Sequence, residues 1–146
     1  MTELERWMSL LEENGGRLTA PRRSIVELLV NARFAMDPLE IYDQVRQRNP
    51  RIGLVTVYRT IDLLTKLGLV ERIHQPGGCH MVLRAARGHE HVVLCTACGR
   101  AEYFSGEDLS KWIETISRES GFMIQGHWLQ LQGLCEECQT INRKRK

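Results

Sequence analysis

The chain has 146 residues, 42% hydrophobic and 26% charged, enough to bury a core as one domain or two small ones and too balanced for wholesale disorder. No apolar run approaches twenty residues, and the first sixteen residues lack an apolar stretch behind a basic start, so the sequence predicts a cytoplasmic protein with no membrane span and no secretory signal. Net charge is +2, with twelve Lys and Arg against ten Asp and Glu in residues 1–85 and eight of each in residues 86–146, so any nucleic-acid contact must come from a local arrangement and not from a global basic field.

The first half reads as helices. Leu4, Trp7, Met8 and Leu11 repeat at helical spacing until Asn14-Gly15-Gly16 stops them. Thr19 ahead of Pro21 suits an N-cap and a first turn, with Ile25, Val26, Leu28 and Leu29 forming the apolar stripe behind it. Asp37-Pro38 announces a third helix, carrying Leu39, Ile41, Tyr42 and Val45 and ending at Asn49-Pro50. A fourth runs from about Leu54 to Leu67 and closes at Gly68. Two strands follow, Leu69–His74 and His80–Arg84, turned by Pro76-Gly77-Gly78.

Helices followed by a β-hairpin make a winged helix-turn-helix, with the fourth helix as recognition helix and the hairpin as wing. Val57, Ile61 and Leu64 share one face of that helix, which sends Thr56, Tyr58, Arg59 and Thr60 elsewhere. An arginine can read guanine edges or clamp a phosphate, and Tyr and Thr can bond phosphates or touch a thymine methyl. Arg22, Arg23 and Arg51 could add backbone contacts. The competing reading is an ordinary amphipathic helix with a solvated polar face.

Past residues 85–88, a short run of small residues that reads as a hinge, the pattern changes. Val92–Leu94 and Glu102–Phe104 read as strands around Cys95-Thr96-Ala97-Cys98. A helix is expected over Glu107–Ser120, with Leu109, Trp112, Ile113 and Ile116 on one face and Gly121 as its cap. A strand over Phe122–Leu134 leads into Cys135-Glu136-Glu137-Cys138, and the basic tail 141–146 is expected to be disordered. In a reducing compartment these cysteines are metal ligands or redox thiols, not disulfides. Two matched pairs of thiolates suit tetrahedral zinc in a closed, structural shell. Such a site contributes on the order of 10–16 kcal/mol of apparent folding free energy in zinc-finger peptides. The competing reading is a thiol–disulfide redox pair in each knuckle.

His89 and His91 alternate onto one strand face, His127 lies near the second knuckle, and Glu107 and Asp108 open the intervening helix. Imidazoles with one carboxylate would suit zinc, and iron(II) or manganese less selectively. Surface histidines near a hinge are the alternative. No nucleophile–base constellation and no phosphate loop is visible, so no enzyme activity is expected.

Over nearly its whole length the chain resembles the ferric uptake regulator family. The resemblance rests on Leu18-Thr19-Ala20-Pro21-Arg22, on Thr56-Val57-Tyr58-Arg59 with Leu67-Gly68-Leu69-Val70 behind it, and on the His-rich run before Cys95-x-x-Cys98-Gly99. It extends through Gly121-Phe122, His127, Gly133, Leu134 and Cys135-x-x-Cys138. It implies an α+β protein: a winged helix-turn-helix domain (1–84), a hinge (85–88), and a small α/β dimerisation and metal-binding domain (89–140) with a four-cysteine zinc site. It also implies a metal-responsive repressor that binds a palindromic operator in double-stranded DNA as a homodimer.

The family's metal sites carry over unequally. The four-cysteine site is intact. The inter-domain sensing site falls on Glu90, Val92, Phe34-Ala35 and Leu83-Arg84, so most of its ligands are lost. A third site falls on His89, His91 and His127, with its helix carboxylate near Ser110 and Glu107 one turn earlier as the substitute. This set would take a second divalent metal, Zn2+, Fe2+ or Mn2+. His74, Cys79 and His80 of the wing, with Glu90, form a competing set. The rival functions are a constitutive winged-helix DNA binder with structural zinc alone, and a thiol-based metal-storage or redox protein.

Overall fold

The computed structural model describes residues 1–74, 80–106 and 109–144, and the chain divides into two compact units, Met1–Ala85 and Ala86–Lys146. The first unit is a winged helix preceded by an extra helix. Helix α1 (Glu3–Glu13) starts with a capping box in which the Thr2 hydroxyl accepts from the Glu5 amide and the Glu5 carboxylate accepts from the Thr2 amide. Gly15, at φ +76°, supplies the left-handed turn that ends it. Helix α2 (Ala20–Val30) is capped by Thr19, and α3 (Pro38–Arg46) by an Asp37–Glu40 box with Pro38 in its first turn. Helix α4 (Leu54–Lys66) starts at Gly53, with no side-chain cap, and closes at Gly68.

Strands β1 (Val70–His74) and β2 (His80–Arg84) pair antiparallel, Val70 opposite Arg84 and Ile73 opposite Met81. Met36 adds a short third rung to the wing by exchanging two backbone hydrogen bonds with Val82, at 3.0 and 2.7 Å. One core joins these pieces: Trp7 and Leu11 from α1, Ile25 and Leu29 from α2, Ile41 from α3, Val57, Ile61 and Leu64 from α4, and Val70 and Val82 from the wing. Burying each of these side chains stabilises the unit by about 1.5–3 kcal/mol before ordering entropy is subtracted. The Asp62 carboxylate on α4 pairs with Arg72 on β1, tying wing to recognition helix at the surface.

The second unit is built on a three-stranded sheet in the order β4-β3-β5. Central strand β3 (Glu90–Cys95) pairs antiparallel with β4 (Ala101–Ser105) and parallel with β5 (Gln130–Gly133). Helix α5 (Leu109–Ser120) supplies the crossover and ends at Gly121, at φ +74°. Helix α6 (Glu136–Lys144) closes the described chain. In contrast to the first unit, α5 buries none of its residues, and Trp112, Phe122, Trp128, Leu131 and Ile141 are all exposed.

Two sequence expectations fail here. The strand expected over Phe122–Leu134 shrinks to Gln130–Gly133. The parallel register sets Gln130 beside Val92 and β3 begins at Glu90, so the earlier part of the segment has no strand to pair with. The tail expected to be disordered is helical as far as Lys144. Glu136 and Glu137 in the first turn and Arg143 and Lys144 in the last complement the helix dipole, a charge order that favours α6. Arg145 and Lys146 lie outside the described residues.

Candidate metal centre and nucleic-acid interface

The sheet builds the thiolate cluster from both of its ends. Cys95 is the last residue of β3, Cys98 sits in the turn towards β4, Cys135 immediately precedes α6 and Cys138 lies in its first turn. The pairing of Cys95 with Gly133 brings the second knuckle alongside the first. All four sulfur atoms lie within 4.8 Å of one another, with Cys98 and Cys135 at 3.7 Å. The knuckles are further laced by the Cys135 amide donating to Cys95 Sγ at 3.3 Å and by Thr96 donating through its amide to the Gly133 carbonyl at 2.8 Å.

Without a cation this packing is electrostatically uneven. Burial opposes ionisation of Cys95, yet backbone N–H groups of Cys135, Cys98 and Ala97 outweigh it and bring its thiol down to about 6. Cys98 is stabilised as a thiolate by the Arg100 amide, but burial and its thiol neighbours Cys95 and Cys135 push it up on balance. Cys138 is pushed up to about 12, first by its hydrogen bond with Cys135. Four thiolates this close cannot all ionise without a cation, and tetrahedral zinc supplies the compensating charge. The donor set fits a closed structural zinc site.

The expected second site is only partly assembled. His91, on β3, is 2% exposed, and its ring meets the His127 ring at a centroid distance of 5.3 Å and the Phe104 ring at 5.6 Å. His91 Nε2 has no hydrogen-bond partner among the described residues. A buried polar atom left unpaired costs about 1–3 kcal/mol, so this nitrogen carries an unmet capacity for a hydrogen bond or a ligand. His127 lies in the irregular segment before β5, not on a strand as expected. His89 is exposed in the turn before β3 and does not join the other two in a three-ligand cluster. Among the described residues only the four cysteines form one. Glu107 lies outside the described residues, as does Cys79 of the competing wing set, of which His74 and His80 are backbone partners across β1 and β2.

The recognition helix presents the expected outer face with one exception. Tyr58 is 43% exposed, Arg59 is exposed, and Thr56 is half-buried. Val55, at 63% exposed, joins that face. Thr60 instead points inward and is wholly buried. Its hydroxyl is satisfied by donating to the Thr56 carbonyl at 2.7 Å, so helical phase outweighs its polarity. The same oxygen lies 3.5 Å from Arg22 Nε, and Arg22 Nη1 donates to the Arg17 carbonyl at 2.8 Å. Arg22 is thereby held beside α4 from the start of α2. Arg23 and Arg51 are exposed on the same unit. Thr60 is a contributor that polarity alone misassigned; the spacing Val57, Thr60, Ile61, Leu64 was the available signal.

A winged helix with an exposed arginine and tyrosine on its fourth helix, joined in sequence to an α/β unit organised around four thiolates, defines a metal-dependent transcription regulator. The pattern of the ferric uptake regulator family matches residues 13–132, and the chain belongs to that family. The ferric uptake regulation protein of Bacillus subtilis (strain 168) is 34% identical over 140 residues, covering 92% of this chain and 93% of that protein. A zinc uptake regulation protein of Mycobacterium tuberculosis (strain CDC 1551 / Oshkosh) is 29% identical over 126 residues, covering 86% of this chain and 97% of that protein. The crystal structure of the Vibrio cholerae ferric uptake regulator superposes with a TM-score of 0.69 at 27% identity, over 87% of this chain and 98% of that one. The protein is a metal-responsive transcriptional regulator of this family.

Proposed function

We propose that the protein is a homodimeric repressor that binds a palindromic operator in double-stranded DNA when a second divalent metal occupies a site built on His91 and His127, with His89 and Glu107 completing it. The observation that carries this reading is His91 Nε2, buried, unpartnered among the described residues and beside a second imidazole. The metal supplies a bond that holds the two imidazoles together. His127 would then fasten the irregular segment before β5 to β3. Zinc in the four-cysteine cluster is structural, since a closed sulfur shell leaves no position for a further ligand. Thr56, Tyr58 and Arg59 address the DNA, and Arg22 a phosphate.

Dimerisation is supported by the apolar surface that the second unit leaves uncovered: α5 with Trp112 62% exposed, and the edge strand β5 with Leu131 46% exposed. The metal acts by differential binding to the DNA-competent dimer, a population shift. The test is operator affinity with and without added Zn2+, Fe2+ or Mn2+ for wild type and for a His91→Ala/His127→Ala variant that retains its structural zinc. The expected result is a metal-dependent gain in wild type that the variant loses. A variant that keeps the full response overturns the site, and a wild type with no response favours the constitutive DNA binder.

A further inference from the structure

We infer that Gly106 is a positioning residue of the regulatory metal site, keeping open the metal-binding edge of His91 and anchoring the backbone of His89. The inference rests on the proposed His91–His127 site and assigns part of its construction to a residue that bears no ligand atom of its own.

Two observations converge on Gly106. The first is steric. A Cβ placed on this residue would collide with the Cδ2 and Nε2 atoms of the His91 ring, while Cγ stays 3.5 Å away. The obstruction therefore falls on the ring edge that carries the buried, unpartnered nitrogen. A metal bonded to an imidazole nitrogen sits about 2.0–2.1 Å from it, so a methyl group on residue 106 and a metal on Nε2 would compete for the same volume. The ring has little freedom to retreat, because it is 2% exposed and packed between Phe104 and His127.

The second observation is a backbone bond. The β3–β4 ladder runs to Glu90 opposite Ser105, and the Gly106 amide then donates to the His89 carbonyl at 3.0 Å. This extra rung fixes the residue at which His89 leaves the sheet. Gly106 thus touches both histidines of the His89-x-His91 pair, one through its amide and one through its missing side chain. Its φ lies outside the left-handed region, so the requirement for glycine here is one of space and not of backbone strain.

The test uses the full chain loaded with its structural zinc and titrated with Co2+, whose visible absorption reports binding to nitrogen and oxygen ligands. Gly106→Ala is expected to weaken uptake of the second metal at least about tenfold while retaining zinc in the cysteine cluster, since a displaced ring or blocked nitrogen loses a ligand bond. A second readout needs no added metal. Amide exchange at Phe104 and Val92 should accelerate in Gly106→Ala, and the acceleration should disappear when the same change is made in a His91→Ala background, where the ring is gone. If Gly106→Ala takes up Co2+ as wild type does while His91→Ala does not, or if the exchange effect persists without His91, the inference is overturned and the site stands. If wild type itself takes up no second metal, the site and the inference fall together.

Discussion

Zinc uptake by the four-cysteine cluster should release protons in a number fixed by the uneven ionisation of the metal-free thiols. At pH 7 Cys95, brought to about 6, is already a thiolate, whereas Cys138, pushed up to about 12, and Cys98, raised above its ordinary value, hold their protons. The zinc-bound cluster needs four thiolates, so each zinc displaces at least about two protons at neutral pH. Apparent zinc affinity should then climb at least about 100-fold per pH unit between roughly pH 6.5 and 8. The sign follows from the raised pair: their protons compete with zinc at every pH below their own titration, so the zinc-dependent stability of the second unit is present at high pH and lost as pH falls. Below about 6 Cys95 also becomes protonated and the dependence steepens. Competition against a chromogenic chelator at several pH values, under reducing conditions, gives the slope. Calorimetry in two buffers of different ionisation enthalpy counts the protons directly. Release of clearly fewer than two protons per zinc would refute this account of the cluster.

Three further outcomes test the interfaces. Arg59→Ala should weaken binding to an operator selected from random duplexes by about 1–3 kcal/mol, and Arg22→Ala should flatten the salt dependence of log K by about one; anisotropy titrations across a salt series separate these effects, and an unchanged affinity in Arg59→Ala removes that residue from base readout. Placing charge on the uncovered face, as in Trp112→Asp/Leu131→Asp, should shift the zinc-loaded chain from dimer to monomer at micromolar concentration in sedimentation velocity, whereas a variant that sediments as wild type places the dimer contact elsewhere.

Local chemistry made the first unit readable. Thr19, Asp37-Pro38 and Gly68 each mark a helix end by a hydrogen bond or a backbone conformation that needs no tertiary context, and the structure uses all three. The two Cys-x-x-Cys pairs were equally explicit, because thiolates at that spacing suit few chemistries besides metal binding. What escaped was set by non-local partners. Thr60 is polar by composition, but a carbonyl one turn back satisfies its hydroxyl and lets it be buried. The apolar segment ahead of β5 has the composition of a strand, but β3 begins too late to pair with it. The apolar face of α5 finds only partial cover among the described residues, with Leu109, Ile113 and Ile116 half-buried and Trp112 exposed, so its periodicity announced a buried face and not what completes its burial. Gly106 carried no signal at all, since its significance is a distance to a ring fifteen positions earlier in the chain.

The parallel pairing of β3 with β5 also bears on how the protein comes into being. Cys95 and Cys135 are 40 residues apart in sequence yet adjacent in space. Closing a loop of that length disfavours the contact by about 3 kcal/mol before any strand pairing rewards it. Non-local pairing of this kind is the slow step of small folds, and four rungs of a short edge strand are a weak reward. A zinc ion captured by both knuckles closes the loop at once and leaves β5 to zip against a strand already held in register. Completion of the second unit is therefore coupled to occupation of the four-cysteine cluster, and removing zinc withdraws support from the β3–β5 pairing together with the knuckles.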